Sequence, residues 1–193
     1  MDKRLLAKGK RGIAYLAEYN KEKIVIKEKN PKSETHRIDI EAQFLPKLNK
    51  KGIGPKFIFF ENSSLGMEYV EGELLEKHIL HAERGEIMRI LAEIVKQLYD
   101  MDMMGIGKEE MQNPYKHIII RNGKPVMIDF ERCHHTQKPK NITQFLQYIS
   151  NGRMQRILMA RGIILEKEKL ILLSKEYKEK MEIMPVLKFL KSL

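Results

Sequence analysis

The amino-acid sequence predicts an α+β protein of two lobes, strand-rich to about residue 70 and helical from about residue 85 onward. Three observations carry this. Short apolar runs separated by turn residues fill the first part of the chain. A 3.6-residue apolar period begins after residue 85. Between the two periodic regions lies a connector, residues 71–84, with the change of pattern near Glu71-Gly72.

In the first lobe Ile13–Ala17, Lys23–Lys27, Phe57–Phe60 and Leu65–Tyr69 have strand composition, with hairpin loops at Tyr19–Glu22 and Glu61–Ser64. A helix is expected after Ser33, because Ile38, Ile40, Phe44, Leu45 and Leu48 recur at helical spacing. In the second lobe Ile87, Ile90, Leu91, Ile94, Leu98 and Met101 share one face of a long helix that ends near Gly105. Asn122-Gly123 between two apolar runs predicts a primed turn, hence a hairpin over 116–131. A two-residue loop puts Asp129 across from Lys116, and a three-residue bulged loop puts it across from His117. Beyond Asn141 the chain reads as helical: Ile142, Phe145, Leu146 and Ile149 form a stripe, followed by Ile157, Leu158 and Leu165–Leu173, with breaks at Gly162 and Pro185.

At 193 residues the chain can bury one good core or two small lobes. Its 42% hydrophobic and 32% charged residues suit a globular protein in water. No apolar run approaches the roughly 20 residues of a membrane span, and Met1-Asp-Lys-Arg4 is not followed by a signal-peptide core. The expectation is a cytoplasmic protein without a membrane partner. One cysteine, Cys133, excludes an intramolecular disulfide. With no second cysteine, Cys133, His134 and His135 lack the four-ligand spacing of structural zinc, and exposed histidines on a helix or loop are expected there. The formal net charge of +10 suits a polyanionic partner such as RNA, and equally a solvated Lys/Glu surface.

Several segments carry chemistry. In Ala7-Lys-Gly-Lys-Arg-Gly12, between the chain start and the first strand, Gly9 and Gly12 would let backbone amides approach phosphates, although a plain basic turn has the same composition. Lys27 ends an alternating strand and can point into a cleft. Glu41 in the following helix is its natural carboxylate partner, with Glu34 as a competitor near the helix start. Taken alone, such a pair is equally the pattern of a surface salt bridge. The order decides: a glycine-containing loop, a strand lysine, a helical glutamate, an apolar-to-glutamate connector and an aspartate after a hairpin.

In that order, Ile24-Val-Ile-Lys27, Glu41-Ala-Gln-Phe-Leu45, Gly52-Ile-Gly-Pro-Lys56, Met67-Glu-Tyr-Val-Glu-Gly72 and Ile128-Asp-Phe-Glu131 resemble the protein-kinase-like superfamily. The likeness is to its minimal atypical branch: RIO kinases, the small kinase of the tRNA threonylcarbamoyl-modification complex, and an archaeal group of predicted Ser/Thr kinases. It covers roughly residues 5–150, and Asn141–Phe145 is also similar. The resemblance implies one kinase-like domain over 1–193, with an N-lobe to about 70 and a short C-lobe over 85–193. It implies ATP and magnesium or manganese as cofactors, and a protein substrate or self-phosphorylation. Ala7, Gly9 and Gly12 would form the phosphate loop. Lys27, held by Glu41, would meet the α- and β-phosphates. Met67 would be the gatekeeper, Glu68 to Val70 would bind adenine, and Asp129 would hold the metal.

The catalytic loop departs from the family. Lys108-Glu-Glu110 stands where a His-Gly-Asp type tripeptide is expected, so Glu110 would replace the Asp that orients the substrate hydroxyl. Lys116 would touch the γ-phosphate. His117 replaces the usual Asn at the second metal position, where imidazole suits manganese or zinc better than magnesium; a locally packed strand-start histidine is the alternative. No Ala-Pro-Glu segment follows Phe130, so substrate choice would rest on partner docking. These departures and the positive charge also suit a nucleotide-binding pseudokinase acting as an adaptor on RNA or a ribosomal or tRNA-modifying assembly. A small-molecule kinase would need a longer C-lobe to enclose its substrate.

Overall fold

The computed structural model describes residues 2–33 and 37–193. Glu34, weighed as a partner for Lys27, lies outside the described residues. The chain divides into two compact units, one of Met1–Glu71 with Val126–Cys133 and one of Gly72–Pro125 with His134–Leu193.

The first unit is built on β1 (Lys3–Lys8), β2 (Gly12–Tyr19) and β3 (Glu22–Lys29), then α1 (Ile38–Asn49), β4 (Phe57–Glu61) and β5 (Ser64–Glu68). The strands form one antiparallel sheet in the order β1-β2-β3-β5-β4. β1 is absent from the sequence reading, and the reason is visible: all six of its residues are exposed, so no apolar alternation marks it. As an edge strand with Lys3, Arg4 and Lys8, it carries the charges that discourage edge-to-edge pairing. Ala7 lies within β1, opposite Ala14, so the glycine segment is a β1–β2 turn rather than a loop before the first strand.

Strand alternation sorts the sheet's two faces. Ile24 and Ile26 pack with Ala17, Ile58 and Phe59 on one face. Val25 and Lys27 are on the other, and α1 packs against β3, β4 and β5. The helix begins at Ile38, the first residue of its apolar pattern.

The second unit contains β6 (Glu73–Leu74), α2 (Leu75–Ile79), α3 (Arg84–Met103), β7 (Ile106–Lys108), a 3-10 turn over Glu109–Gln112, and β8 (Ile118–Arg121). Then come β9 (Lys124–Met127), β10 (Cys133–His135), α4 (Asn141–Ile149), α5 (Gly152–Ala160), α6 (Lys167–Lys180) and α7 (Met184–Ser192). The boundary between the units passes through β9 and β10. β6 pairs with β8. α3 packs on α4 and α7, and α4 on α5, α6 and the 3-10 turn. No helix among the described residues is long and apolar enough to cross a membrane.

Three hairpins turn the same way. Asn20-Lys21, Asn62-Ser63 and Asn122-Gly123 each have φ between 48° and 72° at both positions, as a two-residue primed turn requires. Asparagine leads each pair because its short polar side chain tolerates the left-handed region. The strands of the third hairpin stop at Ile118 and Met127. Strand pairing therefore does not set Asp129 against Lys116 or His117: all three lie outside the ladder. His117 is a turn residue whose N–H donates to the Pro114 carbonyl at 2.8 Å, not a strand start. His134 and His135 are exposed on the short strand β10 instead of a helix or loop.

Candidate active site

In the first unit β3, α1 and the segment after β9 bring three charged groups together. Lys27 Nζ donates to Glu41 Oε2 at 2.6 Å and to Asp129 Oδ1 at 3.0 Å. Glu41 is buried at 1% exposure, while Lys27 and Asp129 are 22% and 34% exposed, so the cluster is anchored inside and open outward. The other Glu41 oxygen accepts the Phe130 N–H at 3.0 Å. One carboxylate thus holds both the lysine and the backbone that follows Asp129. Burial by itself would pull the Lys27 ammonium down, but the Glu41 and Asp129 charges outweigh it and hold it well above the ordinary lysine range. The lysine is a permanent cation.

Asp129 has φ +65°, left-handed for a non-glycine residue, a conformation that Asp and Asn adopt more readily than most. Phe130 is fully buried behind it, with its ring over Gly54. Gly54 has φ +84°, and a β-carbon there would stand 2.8 Å from the Phe130 ring. The Gly52–Lys56 segment therefore gives Phe130 its room.

The glycine turn has a support that the sequence reading missed. Asn30, 6% exposed, donates from Nδ2 to the carbonyls of Gly9 at 2.9 Å and Lys10 at 3.3 Å, and its N–H donates to the Arg11 carbonyl. The Gly9 N–H is engaged by the Gly12 carbonyl at 2.9 Å, so it faces the turn itself. Arg11 reaches Glu131 at 3.0 Å, tying the turn to the residue two past Asp129. Asn30 followed by Pro31 looks in sequence like an ordinary turn, and nothing there marks it as a brace.

Met67 is buried in β5, opposite Val25. Glu68 and Tyr69 donate their N–H groups to the Lys56 and Lys23 carbonyls, and Val70 is buried just beyond. Met67 and Glu68 thus lie in β5, inside the sheet, with Val70 just beyond it, while Ala7, Gly9 and Gly12 lie at the β1–β2 turn.

Glu110, Lys116 and His117 belong to the second unit. Glu110 sits in the 3-10 turn, 10% exposed, with Lys108 Nζ at 3.4 Å; the Lys108 side chain is fully buried. A network fixes the strand that leads to it. Asn141 Oδ1 accepts the Lys108 N–H at 2.8 Å, and its Nδ2 donates to the Ile106 carbonyl and to Asp102, both at 2.7 Å. Tyr177 donates to the other Asp102 oxygen at 2.8 Å. Burial pushes the Asp102 carboxyl above its ordinary value, although Tyr177 and Asn141 pull it back. Lys116 is exposed, its ammonium 5.1 Å from the Tyr115 ring centroid.

For a cation, Asp129 offers the oxygen donor that hard divalent ions choose. Glu41 is committed to Lys27 and Phe130. His117 belongs to the second unit, and its imidazole is a donor type that suits manganese better than magnesium.

Comparison with known proteins gives a consistent fold. No family model matches the chain. An uncharacterized protein of Methanocaldococcus jannaschii is 26% identical over 93 residues, 48% of this chain and 79% of that protein. The KEOPS complex subunit Bud32 of Pyrococcus abyssi is 25% identical over 146 residues, 66% of each chain. The crystal structure of a kinase domain superposes with a TM-score of 0.59 at 17% identity, over 76% of this chain and 60% of that domain. The chain thus spans about two thirds of the Bud32 subunit and three fifths of the kinase domain. With the strand-borne lysine, helical glutamate and post-hairpin aspartate in place, the α+β fold of this chain is protein-kinase-like.

Proposed function

We propose that this chain is an ATP-dependent phosphotransferase of the atypical, RIO-like Ser/Thr protein kinase type. The observation that carries the reading is the Lys27–Glu41–Asp129 cluster, a fixed cation beside a metal-type carboxylate on an outward-open surface. In this reading Lys27 neutralises the α- and β-phosphates of ATP, Ala7, Gly9 and Gly12 line the phosphate loop, and Met67 limits the adenine pocket. Because the Glu68 and Tyr69 N–H groups are engaged, adenine is read by the Glu68 carbonyl and the Val70 N–H. Asp129 holds a magnesium or manganese ion, with His117 at a second metal position. The metal supplies charge neutralisation at the phosphates. Glu110 orients a substrate hydroxyl and takes its proton. The hydroxyl oxygen bonds to the γ-phosphorus, the bond to the β–γ bridging oxygen breaks, and ADP leaves while Lys116 offsets charge on the transferred group. The acceptor is a protein hydroxyl or the chain itself, in the cytoplasm where ATP is supplied.

A second reading is a nucleotide-binding pseudokinase that serves as a basic adaptor on RNA or a tRNA-modifying or ribosomal assembly. Two observations favour it: Glu110 is tied to a buried lysine, and the net charge is +10. Bud32 is a subunit of the KEOPS complex, which makes a multi-subunit assembly the partner class to test first.

The deciding experiment is transfer of labelled γ-phosphate, with magnesium and manganese tried separately, beside Asp129→Asn. Asparagine tolerates the left-handed φ, so the variant removes charge without adding backbone strain. Label on the protein or a generic acceptor, lost in Asp129→Asn, supports the kinase. ATP binding without label under either metal overturns it in favour of the adaptor.

A further inference from the structure

The second unit carries a cluster that the phosphotransfer reading does not use. Glu73 in β6, His78 in α2 and His81 just past it bring a carboxylate oxygen and two ring nitrogens within 4.8 Å of one another. Glu73 Oε2 is 2.6 Å from His81 Nε2 and 3.7 Å from His78 Nδ1. The two rings meet edge-on, centroids 5.2 Å apart. His78 turns its other nitrogen, Nε2, to Glu86 Oε1 at 2.9 Å, at the start of α3. Glu73 and His81 are about half and three-fifths exposed, so the cluster opens to solvent, while His78 is held within.

We infer that Glu73, His78 and His81 bind a divalent transition-metal ion of the zinc class. The donor set selects the metal: two imidazoles with one carboxylate suit zinc or cobalt and disfavour magnesium and calcium. The distances fit. Tetrahedral zinc at about 2.0–2.1 Å from each ligand sets ligand atoms roughly 3.3 Å apart, and 2.6 Å and 3.7 Å bracket that value. Small side-chain rotations of the exposed Glu73 and His81 suffice. The Glu86 carboxylate performs the outer role usual at such sites: it takes the N–H of His78 Nε2 and so leaves Nδ1 unprotonated toward the metal. Water completes the fourth position. The ion would tie β6 to α2 and the turn that leads to α3. It shares no residue with the proposed phosphotransfer site and stands or falls separately.

The test uses the full chain without an affinity tag, stripped with a chelator and titrated with zinc and with cobalt(II). Expected are one equivalent bound, the visible cobalt spectrum of a tetrahedral nitrogen–oxygen site, and a rise in unfolding midpoint with zinc. His81→Ala, at an exposed position, and the near-isosteric Glu73→Gln should each weaken binding at least tenfold, their folding checked by circular dichroism. The double variant of His134→Ala with His135→Ala should bind as the unmodified chain does. The inference is overturned by no saturable binding, by unchanged affinity in both single variants, or by loss of binding in the double variant alone.

Discussion

At the scale of single residues, Glu41 has two tasks that can be separated. Its carboxylate offsets the charge of Lys27 and accepts the Phe130 N–H. Glu41→Gln keeps an acceptor for that N–H, whereas Glu41→Ala leaves it buried without one. The Ala variant should therefore be less stable than the Gln variant by about 1–3 kcal/mol, read from urea unfolding. Equal stabilities would mean that the Phe130 bond contributes nothing. A second test lies at Asp102. Burial raises its folded pKa, so the folded state binds this proton more tightly than the unfolded chain does. Stability is present at acid pH and falls as pH rises from the ordinary carboxyl range through the raised value. Tyr177 opposes the rise by donating to the ionised form. Tyr177→Phe should accordingly cost more at pH 7 than at pH 4.5, where Asp102 is closer to neutral in both proteins. The same cost at both pH values would remove Asp102 from the account.

At the scale of elements, the segment after α1 makes the clearest prediction. Gly52 and Gly54 both have positive φ, +69° and +84°, but only Gly54 faces a side chain. Gly52→Ala should carry the backbone cost alone, about 1 kcal/mol. Gly54→Ala adds a collision with Phe130 and Leu45, and overpacking of this kind adds about 1–3 kcal/mol. Denaturation midpoints of the two variants isolate the packing part; similar midpoints would show that Phe130 simply moves aside. The hairpins behave differently. Their turns are local chemistry, and the Asn-led pairs signal them without tertiary help. Pairing beyond the turn is less local, which is why the third ladder ends before Lys116 and Asp129.

At the scale of the whole molecule, nucleotide binding has a thermodynamic signature that needs no turnover. A ligand at about a hundred times its Kd stabilises the folded chain by about 2.7 kcal/mol. For a chain of this size that corresponds to a midpoint rise of roughly 5–10 °C. Metal–ATP should produce such a rise, and Asp129→Asn should reduce it. A full-sized rise in Asp129→Asn would take Asp129 out of the metal site even if the nucleotide binds. Glu110→Gln should leave the rise intact while abolishing transfer, since in the proposed mechanism Glu110 acts on the acceptor. Equal transfer activity in that variant would exclude it from the reaction.

Much of the fold was readable from local pattern. Apolar alternation marks β2 to β5, the 3.6 period marks α3 and α4, and glycine and asparagine mark the turns. Lys27 and Glu41 were legible as partners because a strand end and the following helix are close in sequence, 14 positions apart. Tertiary structure decided the rest. Asp129 and Phe130 are reached from Lys27 and Glu41 across 102 and 89 positions. Only packing assigns Val126–Cys133 to the first unit, although in sequence it begins inside β9, the second strand of the hairpin. Asn30 and Asn141 became braces through hydrogen bonds to carbonyls and carboxylates that no composition reveals. The Glu73–His78–His81 cluster arose because a two-residue strand and one helical turn converge. Periodicity records which face of an element is buried; it holds no information on which distant polar groups will meet there, since hydrogen bonds depend on positions that only the packed chain defines.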